Sequence, residues 1–191
     1  YTPNLLYGIR ETLDGSLNLV LINANNGIGE LVYSEYITGS SSISSVAFDP
    51  GTNCLFFIID NVLYGNDLSS DDLTYVIANL NPLAIISGAT FIGSSYYYYD
   101  NNPNSANYNM IVQVYMNYDD ILGWNTISEL PFSGQMTYDI TITDIASNAN
   151  NFYLIGFNNV SGSVDLVTYN IGSSSFDPVI ITTGISSDVD S

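Results

Sequence analysis

The hydrophobic and polar positions between residues 44 and 80 form short apolar runs separated by turn-forming residues. They predict four consecutive β-strands, Ser45–Phe48, Cys54–Ile59, Val62–Asn66 and Leu73–Leu80. Clusters of Asp, Asn, Pro and Gly lie between the strands and are typical of tight turns, because these residues favour turn conformations. The second strand is apolar at every position, which predicts that both of its faces are covered. Since four strands cannot bury their own two faces, the sheet must pack against similar sheets.

The same order of strands and turns recurs along the chain. The approximate repeats are residues 1–42, 43–85, 86–135 and 136–184, within one β-repeat domain over residues 1–191. The first repeat lacks its first strand, and residues 185–190 resemble the missing piece. We therefore predict that a closing strand at 185–190 completes the N-terminal sheet and protects its edge. Donation of the missing strand by another subunit is the alternative.

Repeats of this length point to a particular architecture. Units of about 40–50 residues with four strands each characterise β-propeller blades. The chain resembles small extracellular β-propeller proteins, through Ala47-Phe48-Asp49-Pro50 and the following Leu63-Tyr64. The resemblance covers nearly the whole chain and implies an all-β fold, a small four-bladed propeller. A β-sandwich, which also consists of many short strands with regular turns, is the alternative.

The charge of the chain restricts its partners. There are 19 acidic residues against one basic residue, Arg10, which gives a formal net charge of −18. A nucleic-acid backbone or an anionic membrane surface would be repelled, so neither is expected as a partner. No run of about 18 apolar residues is present, and no membrane insertion is predicted. Only 10% of the residues are charged, so neutral polar side chains must cover most of the surface.

The composition also excludes most catalytic chemistry. Without His or Lys the chain has no imidazole base, no histidine-ligated zinc and no Schiff-base lysine. Cys54 lies in an apolar strand, where a small buried side chain is expected. A glycosidase acting through two carboxylates remains as an enzymatic alternative, but no pattern pairs the candidates. These candidates are Glu35, Glu129, Asp139 and Asp144.

Two stretches are candidate binding sites. The loop at residues 66–72 offers Asp67, Asp71 and Asp72, and calcium is the cofactor that such oxygen ligands would take. The run of four tyrosines at 96–99 suggests a surface for a ligand or partner at Tyr97, Tyr99 and Asp100, because tyrosine rings are common in recognition surfaces. The alternative is a buried middle strand, equivalent to Cys54–Ile59.

The predicted location is extracellular. The chain starts at Tyr1, as expected of a mature protein whose signal peptide has been removed. Asn159-Val160-Ser161 is an N-glycosylation sequon, which predicts a glycan on Asn159. The preferred hypothesis is a non-enzymatic structural or adhesive module of the cell surface, which self-associates into fibres or binds other surface proteins. A carbohydrate-binding, lectin-like propeller is the alternative.

Overall fold

The computed structural model describes residues 5–11, 16–23, 29–36, 43–49, 51–68, 74–119, 123–177 and 181–186, and all regular structure in them is β. No helix able to cross a membrane occurs in this part of the chain. The strands are β1 (Leu5–Glu11), β2 (Ser16–Asn23), β3 (Gly29–Tyr36), β4 (Ile43–Asp49), β5 (Cys54–Ile59), β6 (Val62–Asp67), β7 (Thr74–Asn79), β8 (Ile86–Ile92), β9 (Ser95–Asp100), β10 (Met110–Asp119), β11 (Gly123–Pro131), β12 (Ile140–Ser147), β13 (Asn151–Asn158), β14 (Ser163–Asn170), β15 (Ser175–Phe176) and β16 (Ile181–Ser186).

The strands form four antiparallel sheets that follow one another along the chain. The first sheet contains β1 to β3, the second β4 to β7 and the third β8 to β11. In the fourth sheet β12, β13 and β14 pair in order, and both β15 and β16 pair with β14. Successive strands are neighbours because short turns join them, as the clusters of Asp, Asn, Pro and Gly predict.

The prediction of a closing strand at 185–190 is wrong for residues 185 and 186, the part that the structure describes. Residues 185 and 186 belong to β16, which pairs with β14 in the register Leu166 opposite Ile181 and Ser163 opposite Ser186. These two residues therefore extend the fourth sheet instead of the first. Residues 187–190 lie outside the described residues.

The first strands of the sheets form an inner row. β1 contacts β4, β4 contacts β8, and β8 contacts β12. The registers of β4, β8 and β12 against their second strands are interrupted at 44–47, 86–89 and 142–144. Bulges of this kind bend a strand and increase its twist, and here they recur in three inner strands.

The hydrophobic core lies between the sheets and centres on the second strands. All six residues of β5 and all six of β9 are buried. Because side chains alternate along a strand, Tyr96 and Tyr98 pack toward the second sheet and Tyr97 and Tyr99 toward the fourth. The prediction that Cys54–Ile59 is covered on both faces is confirmed.

The third and fourth sheets approach closely at Gly88, in β8. A Cβ atom at this position would lie 2.7 Å from the Cα of Asp144 and 2.7 Å from the backbone nitrogen of Ile145. Both of these atoms belong to the backbone of β12 and cannot rotate away. Gly88 therefore sets the spacing of the two inner strands.

We predict that Gly88→Ala destabilises the protein, because the new methyl group must push β12 away from β8. The expected loss in the free energy of unfolding is about 1–3 kcal/mol, measured by urea denaturation. Gly134→Ala is the control, since a Cβ there has no neighbour within 4 Å, and its effect should stay within about 0.5 kcal/mol. Equal effects of the two substitutions would contradict the close approach.

Candidate ligand-binding groove

A groove of about 420 Å³ opens between the second and third sheets, at the end where β4 turns into β5 and β8 turns into β9. Its volume falls within the range of about 300–1,000 Å³ that is usual for small-molecule sites. The two turns and one edge of β10 form its lining. The lining residues are Asp49, Gly51, Thr52, Gly93, Ser94, Tyr115, Met116 and Asn117.

One side of the groove is the turn after β4. The side chain of Asp49 is buried, and its Oδ1 accepts a hydrogen bond from the backbone nitrogen of Gly51 at 2.9 Å. Its Oδ2 accepts a second one from Thr52 Oγ1 at 2.5 Å. Each carboxylate oxygen thus has a donor within its own turn, so Asp49 shapes the groove and holds the Thr52 hydroxyl in place.

The opposite side comes from β10, where the alternation of the strand places Tyr115 and Asn117 outward. Tyr115 is 44% exposed, whereas the intervening Met116 is buried in the core. Gly93 has φ of +62° and, with Ser94, makes the tight turn between β8 and β9. The residues that line the groove thus include an exposed tyrosine, an exposed asparagine and two hydroxyl-bearing residues, a composition suited to a neutral, hydroxyl-bearing ligand.

The predicted surface at Tyr97, Tyr99 and Asp100 is corrected by the structure. All three side chains are buried, because β9 is the second strand of its sheet and both of its faces are covered. The ring of Tyr97 packs against Phe132 and Phe152, with centroids 5.1 and 5.0 Å away. The alternative of a buried middle strand is the one observed.

Tyr115 is the exposed aromatic residue that the sequence reasoning missed. Its signal is the alternation along β10, in which Val114 and Met116 are buried while Tyr115 and Asn117 face outward. The prediction placed the exposed aromatic surface on β9 instead, because four consecutive tyrosines occur there.

The predicted calcium loop lies only in part within the described residues. Asp67 is half-buried at the end of β6, and Asp71 and Asp72 lie outside the described residues. In the described part of the chain no three His, Cys, Asp or Glu side chains converge. Calcium binding at this loop stays a prediction.

The sequon residue Asn159 is exposed at the turn between β13 and β14. Its Nδ2 donates hydrogen bonds to Asp139 Oδ1 at 2.8 Å and to Thr141 Oγ1 at 3.2 Å. Val160, the next residue, is 82% exposed. The triplet is therefore accessible, and its glycosylation stays a prediction.

The described carboxylates that were considered for a glycosidase each accept hydrogen bonds from different residues. Glu129 accepts from the Tyr98 hydroxyl and from the backbone nitrogen of Asn81, at 2.8 and 3.1 Å. Asp144 Oδ1 accepts from the nitrogen of Ile145, and Asp139 from Asn159 as above. The side chain of Glu35 lies outside the described residues.

Comparison with known proteins supports the fold. No protein-family model matches the sequence, and no curated protein matches it. A solved structure of a nidogen/laminin complex superposes with a TM-score of 0.57 and 11% identity, over 94% of this chain and 59% of that one. A putative TolB from Agrobacterium tumefaciens gives a TM-score of 0.59 and 10% identity, over 94% and 62%. The chain thus spans about three fifths of their length.

Both of these structures are β-propellers, and at such low identity the likeness shows the fold alone. Together with the four sheets and their inner row of first strands, it confirms the predicted all-β propeller fold. The sheets can accordingly be called blades. The groove lies between the second and third blades.

Burial makes the four tyrosines of β9 weaker acids. Burial raises the pKa of Tyr96, Tyr97, Tyr98 and Tyr99, and for Tyr98 the negative charges of Glu129 and Asp100 raise it further. Tyr96 donates to the carbonyl of Ser45 at 2.6 Å, and so links the third blade to the inner strand of the second.

We predict that the protein loses stability as the pH rises above about 10, the ordinary tyrosine pKa. There the unfolded chain releases phenolic protons that the folded chain retains, so each buried tyrosine should lower the free energy of unfolding by about 1.4 kcal/mol per pH unit. Denaturant titrations between pH 8 and pH 11 measure the slope, which Tyr98→Phe should reduce. Tyrosinate absorbance from these residues in a chain that remains folded would contradict the account.

Proposed function

We propose that this propeller is a non-enzymatic, extracellular adhesive module whose groove binds neutral carbohydrate. The observation that supports it most is the composition of the groove lining, in which the exposed Tyr115 and Asn117 occur with the hydroxyl-bearing residues Thr52 and Ser94. A tyrosine ring packs against the apolar face of a sugar, while amide and hydroxyl groups exchange hydrogen bonds with its hydroxyls.

The charge of the protein supports a neutral ligand. With a formal net charge of −18 the chain repels anionic glycans at long range, whereas neutral sugars are unaffected. The single basic residue, Arg10, also leaves trypsin-like proteases one site of cleavage, which suits a protein exposed outside the cell.

The lining of the groove favours binding over catalysis. Asp49 is the one carboxylate among the groove residues, and each of its oxygens already accepts a hydrogen bond within its turn. Hydrolysis of a glycosidic bond needs two carboxyl groups that flank it. One of the similar structures is a nidogen/laminin complex, and binding of another protein is in keeping with that example.

We predict that Tyr115→Ala weakens saccharide binding about tenfold or more, because it removes the stacking surface. The measurement is a neutral-glycan array, followed by calorimetric titration of the strongest hit. Tyr153→Ala is the matched control: this half-buried tyrosine lies in β13 of the fourth blade, away from the groove, and its loss should leave the affinity unchanged. A silent array, or equal affinities of all three proteins, would rule out a carbohydrate site in the groove.

Self-assembly into a surface fibre is a second candidate, favoured by two exposed apolar side chains. Leu83 and Ile85 are each 55% exposed on the connection between β7 and β8. This connection is fixed in place, since Asn61 Nδ2 donates to the carbonyls of Asn81 and Ala84 at 2.8 and 3.0 Å. A rigid, exposed apolar ridge is a feature of association surfaces.

For this second candidate we predict concentration-dependent oligomers in analytical ultracentrifugation. Replacing both Leu83 and Ile85 by Ser should shift the protein to the monomer, because the apolar contact area is lost. Val160→Ser, at another exposed apolar position, should leave the distribution as it is. A wild-type chain that stays monomeric at every concentration tested would exclude the fibre hypothesis.

A further inference from the structure

The last residue of β9, Asp100, is a fully buried carboxylate, and one of its two oxygens accepts no hydrogen bond from the described residues. Oδ1 accepts hydrogen bonds from the backbone nitrogens of Ile85 at 3.1 Å and Asn102 at 2.9 Å. Oδ2 is buried as well and has no hydrogen-bond partner among the described residues. A buried charge is costly unless a counter-charge or a full set of hydrogen bonds compensates it.

The sequence provides few possible counter-charges for Asp100. The chain has no Lys or His, and its one basic residue, Arg10, belongs to β1 in the first blade. The second blade lies between β1 and β9, because the inner strands follow the order β1, β4, β8. Glu129 adds a second carboxylate nearby: it accepts from the Tyr98 hydroxyl at 2.8 Å, and its charge and that of Asp100 both raise the pKa of Tyr98.

Two segments lie next to Asp100, since the backbone nitrogens of Ile85 and Asn102 both donate to its Oδ1. The connection at residues 81–85 and the loop at 101–109 are joined by a hydrogen bond from Asn102 Nδ2 to the carbonyl of Leu83. A second bond runs from Asn81 Nδ2 to Ser105 Oγ at 3.1 Å, and Ser105 is buried. The backbone nitrogen of Asn81 also donates to Glu129 Oε2. The two segments next to Asp100 therefore carry carbonyl, amide and hydroxyl oxygens, and Glu129 contributes a carboxylate that contacts the first of them.

We propose that Asp100 binds a Ca²⁺ ion through Oδ2, between the second and third blades and beneath these two segments. Calcium takes 6–8 oxygen ligands of these types, including carbonyls and water. A water molecule alone could donate a hydrogen bond to Oδ2, but it would leave the buried charge uncompensated. This site differs from the predicted loop at Asp67, Asp71 and Asp72, which follows β6 at the other end of the blades.

The test is a calorimetric titration of the EDTA-treated full chain with CaCl₂, together with thermal unfolding in EDTA and in calcium. The wild-type protein should bind calcium, and its Tm should rise by about 5 °C or more once calcium exceeds the dissociation constant about a hundredfold. Asp100→Asn, which keeps the size of the side chain and removes its charge, should lose both the heat signal and the calcium-dependent rise in Tm.

Two variants serve as controls. Asp49→Asn neutralises a buried carboxylate whose two oxygens both have donors, and it should leave calcium binding intact. The double variant Asp71→Asn, Asp72→Asn should do the same. If Asp100→Asn does not fold, Glu129→Gln replaces it, and several-fold weaker calcium binding is expected from the lost charge. Absence of calcium binding by the wild type, unchanged binding by Asp100→Asn or Glu129→Gln, or loss of binding in the double loop variant would overturn the proposal.

Discussion

Burial of the second strand of each central blade on both of its faces is the constraint on which the structure depends. β5 and β9 expose none of their side chains, so each requires a sheet on either side. Fully burying one large apolar side chain contributes about 1.5–3 kcal/mol. β5 consists almost entirely of such residues, and β9 buries four tyrosine rings. One four-stranded sheet alone cannot cover both faces of such a strand. The sheets formed by the other repeats of the chain cover them.

The polar groups are organised around this packing. Two of the buried tyrosines of the third blade find hydroxyl partners at blade boundaries, Tyr96 on the carbonyl of Ser45 and Tyr98 on Glu129. The buried hydroxyl of Tyr99 has no hydrogen-bond partner among the described residues. Side-chain amides also find partners at blade boundaries. Asn101 donates to the carbonyl of Ile142 and accepts from its nitrogen, and so pairs with the inner strand of the next blade. In a chain almost without cations, neutral amides and hydroxyls take the positions that ion pairs occupy elsewhere.

Local pattern was enough to predict the fold. The predicted strand Cys54–Ile59 has the same bounds as β5, since its apolar run ends at turn residues on both sides. The candidate site was harder to predict from the sequence than the fold, because tyrosine is equally compatible with an interior strand and with a recognition surface. The burial of Tyr97 and the exposure of Tyr115 depend on which blades flank each strand. Contacts such as Tyr98 with Glu129 join residues 31 positions apart, and no local pattern reveals them.

The proposed binding of neutral carbohydrate requires that the groove between the second and third blades is the ligand site. An NMR titration of the ¹⁵N-labelled protein with neutral oligosaccharides tests it most directly, because amide shifts report the place of contact without any substitution. The account predicts that the perturbed amides cluster at residues 51–52, 93–94 and 115–117. Saturable shifts confined to the connection at 81–85, or no shifts with any neutral saccharide, would contradict it.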